Sequence, residues 1–137
     1  MEELGKDIRW KQRFQNFEKA YKLLRDAIVI EDPSEAERAG LIKFFEMTFE
    51  LSWKLIKDYQ EKEGFIIKSP RDALKQAFQS DLIKDGHSWI EALENRNLTV
   101  HTYEEETAKE VELKIRKKYF PIIKDLYLLF KEKSSIL

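Results

Sequence analysis

Cysteine is absent from the 137-residue sequence, and with it every disulfide and every thiolate metal site. Histidine occurs only twice, at His87 and His101, too far apart to form a metal pair on one helix. Four glycines and three prolines are well below ordinary usage, which argues against a turn-rich β architecture. No run approaches 18 uncharged apolar residues, and Met1 to Asp7 lacks a basic region followed by an apolar core. A cytoplasmic protein with no membrane span is therefore expected. Net charge is scarce as well: the formal value of −1 supplies no global attraction for polyanions, so any RNA contact must use a local patch.

What the chain does contain is 37% charged and 42% apolar residues, the mixture of long amphipathic helices. The length suits one domain spanning 1–137 with a core that needs no staple. The fold class expected is all-α, an up-and-down four-helix bundle with an additional short helix. Trp10, Phe14, Phe17, Tyr21, Leu24 and Ile28 alternate at four and three residues, which predicts a first helix over about 8–29. Ser34 and Glu37 form a capping box for a second helix over about 35–63. Its stripe is Leu41, Phe45, Thr48, Ser52, Leu55 and Tyr59, while Phe44, Met47, Phe49, Leu51, Trp53 and Ile56 populate neighbouring faces. Such a helix is central to its own bundle or also covers a partner. Glu46 and Glu50, one turn apart in this run, read as solvent-facing glutamates rather than a catalytic pair.

Gly64 suits a helix end that needs a left-handed residue, and Phe65-Ile66-Ile67 reads as an apolar connector tucked onto the bundle. Ser69-Pro70-Arg71-Asp72 is a helix start, with Ala73, Leu74, Ala77, Phe78 and Leu82 expected on the buried side. Asp85-Gly86 breaks the chain, and Ser88 with Glu91 suggests a capping box for a fourth helix carrying Trp89, Ile90 and Leu93 inward. A last run begins near Thr107 or a neighbouring glutamate. Pro121 should kink or divide it near Tyr119-Phe120. Lys114, Arg116, Lys117 and Lys118 are the most basic local cluster, read as dipole complement and solvation rather than a phosphate site.

The densest polar stretch is Glu94 to Tyr103, where Arg96, Asn97, His101 and Tyr103 offer a fixed cation, an amide, a titratable imidazole and a phenol. On an unbroken helix, Arg96 and His101 would lie about 140° apart. The β-branched Thr99, Val100 and Thr102 weaken helix there, so a turn near 98–102 can bring them together. The plainer alternative is a helix junction, with Arg96 paired to a glutamate and His101 capping the next helix. Glu104-Glu105-Glu106 is expected in the first turn of that next helix, where acids are favourable.

Arg96, four intervening residues, His101, one residue and Tyr103 resemble the signature of HEPN domains encoded beside minimal nucleotidyltransferases. Three further blocks, Arg9 to Phe14, Phe44 to Lys54 and Ser69 to Asp72, look like those of the nucleotidyltransferase substrate-binding family. The resemblance implies a helical bundle that forms a homodimer or higher oligomer, with the motifs of two subunits facing one cleft. It implies a minimal nucleotidyltransferase as partner protein, and RNA as a candidate substrate of a toxin restrained by that partner. Carried over by position, His101 would serve as general acid/base, Arg96 would stabilise phosphate charge and Asn97 would orient one of them. Tyr103 would accept AMP. No metal or other cofactor is expected. The rival reading is a noncatalytic substrate-binding or docking subunit, and a third is a helical interaction protein whose aromatic second helix is the interface.

Overall fold

In the computed structural model, which describes residues 2–96 and 101–136, the alternating apolar spacing of the first segment forms helix α1, Glu2–Ile28. It starts earlier than the apolar pattern alone suggests. Trp10, Phe14, Phe17, Tyr21 and Leu24 are buried as one seam. Helix α2, Glu35–Lys62, opens on the expected capping box: the Ser34 hydroxyl accepts from Glu37 N at 3.1 Å, and Glu37 Oε1 accepts from Ser34 N at 2.9 Å. It closes on Gly64, at φ 99°, with Gly64 N donating to Glu61 O and Phe65 N to Gln60 O. These two bonds are a Schellman end, and the left-handed backbone is why glycine stands there.

Helix α2 is the centre of the bundle. Leu41, Ile42, Phe45, Phe49, Leu55 and Ile56 are buried, Phe44, Leu51 and Trp53 are half-buried, and Met47 is exposed. Its aromatic residues reach outward in two directions. Phe49 packs on Trp89 at 5.9 Å, and Phe45 stacks on Tyr119 at 5.5 Å. Three of the charged side chains that α2 carries toward its neighbours are paired. Arg38 binds Glu112 at 2.7 Å and also Glu105, and Asp58 accepts from Arg13 at 2.8 Å. The third is Glu50, described with the site.

Helix α3, Pro70–Gln79, starts as read, with Ser69 Oγ accepting from Asp72 N. Ala73, Leu74 and Ala77 are buried, but Phe78 is 52% exposed, contrary to the sequence reading. Its ring instead lies across Gly86, where a Cβ would come within 2.9 Å of it. Helix α4, Gly86–Asn95, is capped by Asp85 rather than Ser88: Asp85 accepts from Ser88 N at 3.1 Å and from Ser88 Oγ at 2.7 Å. Those bonds hold the Asp85 carboxyl below its ordinary value. Of the connector 65–67 only Ile67 is buried, whereas Ile66 is 83% exposed.

Helix α5, Glu105–Lys114, runs through a π-helical segment, Ile115–Tyr119, into α6, Phe120–Ser134. Pro121 causes this local widening. Its ring would clash with the carbonyl four residues back, and the ladder shifts so that Phe120 N donates to Ile115 O instead. The division expected at Tyr119-Phe120 is thus a register change, not a break. Arg116 leaves the basic cluster to cap the end of α1, donating to Ile28 O at 2.6 Å and Ile30 O at 3.0 Å while bonding Glu112 at 2.8 Å. The architecture is all-α, as expected from composition. Among the described residues no helix is long and apolar enough to cross a membrane.

Burial raises the Glu112 carboxyl, but the hydrogen bonds from Arg38 and Arg116 outweigh it and leave it below the ordinary 4.5. A depressed folded value contributes stability above the unfolded pKa, and that contribution disappears as pH falls through the folded one. Urea unfolding between about pH 6 and about pH 3 should therefore show wild-type protein losing more stability than Glu112→Gln. Equal acid losses would remove Glu112 from the account.

Candidate functional site

The polar segment singled out in the sequence lies between α4 and α5. Helix α4 is pinned by Trp89, Ala92 and Leu93, all buried, and by Asn95 Nδ2 donating to the Tyr119 hydroxyl at 2.8 Å. Burial is the main reason the Tyr119 phenol is raised, which keeps it protonated at this contact. Arg96 is the C-terminal cap of α4, with its own N–H bonded to Ala92 O. Its backbone is therefore tied to the packed helix, while its side chain is about one-third exposed.

The Arg96 guanidinium reaches α2. Nη1 donates to Glu50 Oε1 at 2.7 Å, across 46 residues of sequence, and Glu50 Oε2 accepts from Trp53 Nε1 at 3.0 Å. Glu50 is thus not the plain solvent-facing glutamate suggested by its position. Glu46, also partly buried, stands 3.7 Å from Lys43. The Arg96–Glu50 pair is substantially exposed on both sides, and such pairs contribute about 0–1 kcal/mol to stability. Its consequence is one of placement. The alternative in which Arg96 pairs with a glutamate is therefore realised.

Helix α4 ends at Asn95, and α5 begins at Glu105. Asn97, and the stretch 97–100 in which part of the turn was expected, lie outside the described residues. His101 and Tyr103 are exposed, with ring centroids 6.2 Å apart, and Tyr103 is 80% exposed. His101 does not cap α5: its carbonyl accepts from Glu104 N, and Glu104 is the cap residue, with no side-chain cap bond. Glu105 and Glu106 fall in the first turn of α5, as read, and Glu105 is engaged by Arg38. Two members of the basic cluster are engaged elsewhere: Arg116 caps α1, and Lys118 bonds Glu91 at 3.3 Å. Two surface grooves, of about 370 and 340 Å³, flank the loop between α3 and α4, one against Trp89 and α6 and the other against the end of α2 and α6, and neither contains a motif residue.

The family model described as "nucleotidyltransferase substrate binding protein like" matches residues 12–132. The chain belongs to this family. The HEPN-type resemblance read from four sequence blocks is thereby borne out. A crystal structure of a Thermus thermophilus protein matches this substrate-binding family member at 32% identity and a TM-score of 0.73, over 88% of this chain and 99% of the other. A curated protein of Haemophilus influenzae, "probable ribonuclease HepT", is 33% identical over 78 residues, 53% of each chain. The chain spans about half the length of this curated relative.

Tyr103 differs in access from the other tyrosines. Tyr21 and Tyr119 are buried, Tyr59 and Tyr127 are half-buried, and burial together with the Glu18 carboxylate pushes the Tyr127 phenol up to about 12. A tyrosine-selective nitrating reagent under native conditions should therefore modify Tyr103 first, read by peptide mass spectrometry. Earlier nitration of any of the other four would contradict this exposure.

Proposed function

We propose that this protein is the RNA-cleaving partner of a minimal nucleotidyltransferase, the toxin of a toxin–antitoxin pair, acting as a homodimer. The observation that carries the reading is the arrangement along one junction: a guanidinium anchored at the end of α4, an exposed imidazole, and an exposed phenol whose ring lies 6.2 Å from it. The name of the Haemophilus influenzae relative and the family match support the same direction.

The chemistry needs few groups. The ribose 2′-oxygen attacks the adjacent phosphorus, the bond to the 5′-oxygen breaks, and a 2′,3′-cyclic phosphate and a 5′-hydroxyl result. A neutral His101 imidazole takes the 2′ proton, and a protonated imidazole gives one to the leaving oxygen. Each chain carries one His101, so two copies facing one cleft supply both roles. Arg96 offsets the charge that builds on the phosphate oxygens, and Asn97 orients one of these groups.

Tyr103 is the proposed control point. Its phenol oxygen attacks the α-phosphorus of ATP held by the transferase, pyrophosphate leaves, and the phenolic proton passes to a base of the transferase. The adduct sets bulk and a phosphodiester charge beside His101, where RNA phosphate would bind. A second reading, a noncatalytic substrate-binding or docking subunit, is favoured by two acidic features. Glu50 offsets the Arg96 charge, and Glu104 to Glu106 follow His101 within five residues of sequence.

Purified wild-type protein should cleave single-stranded RNA, and His101→Ala should lose at least about a hundredfold of that activity while keeping its helical circular dichroism. Equal behaviour of the two proteins removes the ribonuclease reading. With the transferase and ATP, wild-type protein should gain one AMP on Tyr103 and Tyr103→Phe none. Retention of nucleotide without RNA loss or adduct favours the docking subunit.

A further inference from the structure

The ribonuclease reading assigns work to Arg96 but leaves unexplained why a long side chain at a helix end should stand ready for a phosphate. Glu50 answers this. It lies in the middle of α2 beside buried Phe49 and Ser52, so its backbone is fixed by the core. Its carboxylate is set by two donors from different elements: Trp53 Nε1 at 3.0 Å on Oε2 and Arg96 Nη1 at 2.7 Å on Oε1. Arg96 is thus held at both ends, by α4 through its backbone and by α2 through its guanidinium.

We infer that Glu50 is a positioning residue: oriented by Trp53, it holds the Arg96 guanidinium in place for phosphate, an inference that rests on the RNA-cleaving reading of Arg96. An untethered arginine side chain samples many rotamers, and fixing them before substrate arrives leaves less disorder to remove in the transition state. Glu50 engages Nη1, one corner of a planar fork of five N–H donors. The charge of Glu50 works against phosphate affinity, so an inhibitory glutamate predicts the opposite outcome on removal.

The test is RNA cleavage by folded Glu50→Ala, Glu50→Gln and Trp53→Phe proteins. Glu50→Ala should lower kcat at least about tenfold, since small misplacements of a reacting group cost that much or more. Glu50→Gln, whose amide oxygen still accepts from Nη1, should recover most of the loss, and Trp53→Phe should fall between. In an Arg96→Ala background, Glu50→Ala should add less than about twofold, because both changes remove one function. Increased activity on removing Glu50, or losses that multiply in full with Arg96→Ala, would overturn the inference; Glu50→Asp provides the same comparison should Glu50→Ala not fold.

Wild-type protein that cuts no RNA would instead remove the ribonuclease reading. The holding contact is then read separately, by side-chain NMR of nitrogen-15 arginine, with the Arg96 signal identified by its loss in Arg96→Lys. A slowly exchanging Arg96 signal in wild type that broadens or disappears in Glu50→Ala supports the contact. An Arg96 signal indifferent to Glu50 contradicts it.

Discussion

A central helix that is covered on most sides has nowhere to put an unpaired charge, and α2 carries several charged groups on its covered sides. Removing an ion from water without a counter-charge costs several kcal/mol, so each such group recruits a partner from another element. Arg38 recruits α5 through Glu105 and Glu112, and Asp58 recruits α1 through Arg13. Glu50, the most exposed of the three, recruits Arg96 from the end of α4. The first two pairs are buried enough that breaking one side leaves an expensive orphan. The third is not, and its effect is to connect the junction to the most deeply packed element of the molecule.

This explains how a scaffold of ordinary amphipathic helices can present a defined polar group. Trp89 on Phe49 and Tyr119 on Phe45 dock α4 and the π segment against the same stretch of α2. Asn95 bonds Tyr119, and Arg96 bonds Glu50, so consecutive residues at the end of α4 are fixed to two neighbours. Further along, His101 and Tyr103 stand in solvent.

Much of this fold is legible in the sequence because it depends on local rules. The seam of α1 follows from three- and four-residue spacing, and the starts of α2 and α3 follow from cap residues whose partners lie three positions away. The departures share a different cause. Ser88 and Asp85 are both good cap residues, and only their mutual hydrogen bond shows that the aspartate caps and the serine supports it. Phe78 has the spacing of a core residue but lies near the end of a short helix, where its ring covers Gly86 instead. Pro121 announces a disturbance, yet the ladder absorbs it one turn earlier, at 115–119. For the site, Arg96, His101 and Tyr103 are visible as an unusual cluster in the sequence, whereas Glu50 is not, because its partner is 46 residues distant. The one hint was an acid three residues before a tryptophan in an otherwise apolar run.

The central claim is that this junction cleaves RNA through the ribose 2′-oxygen. The most direct measurement uses an RNA whose principal cleavage site is first mapped with wild-type protein and then remade with one 2′-deoxy nucleotide on the 5′ side of that bond. Cleavage at the mapped bond should cease in the deoxy substrate, while the all-ribose RNA yields a 2′,3′-cyclic phosphate end. Continued cutting at the deoxy position would contradict the account.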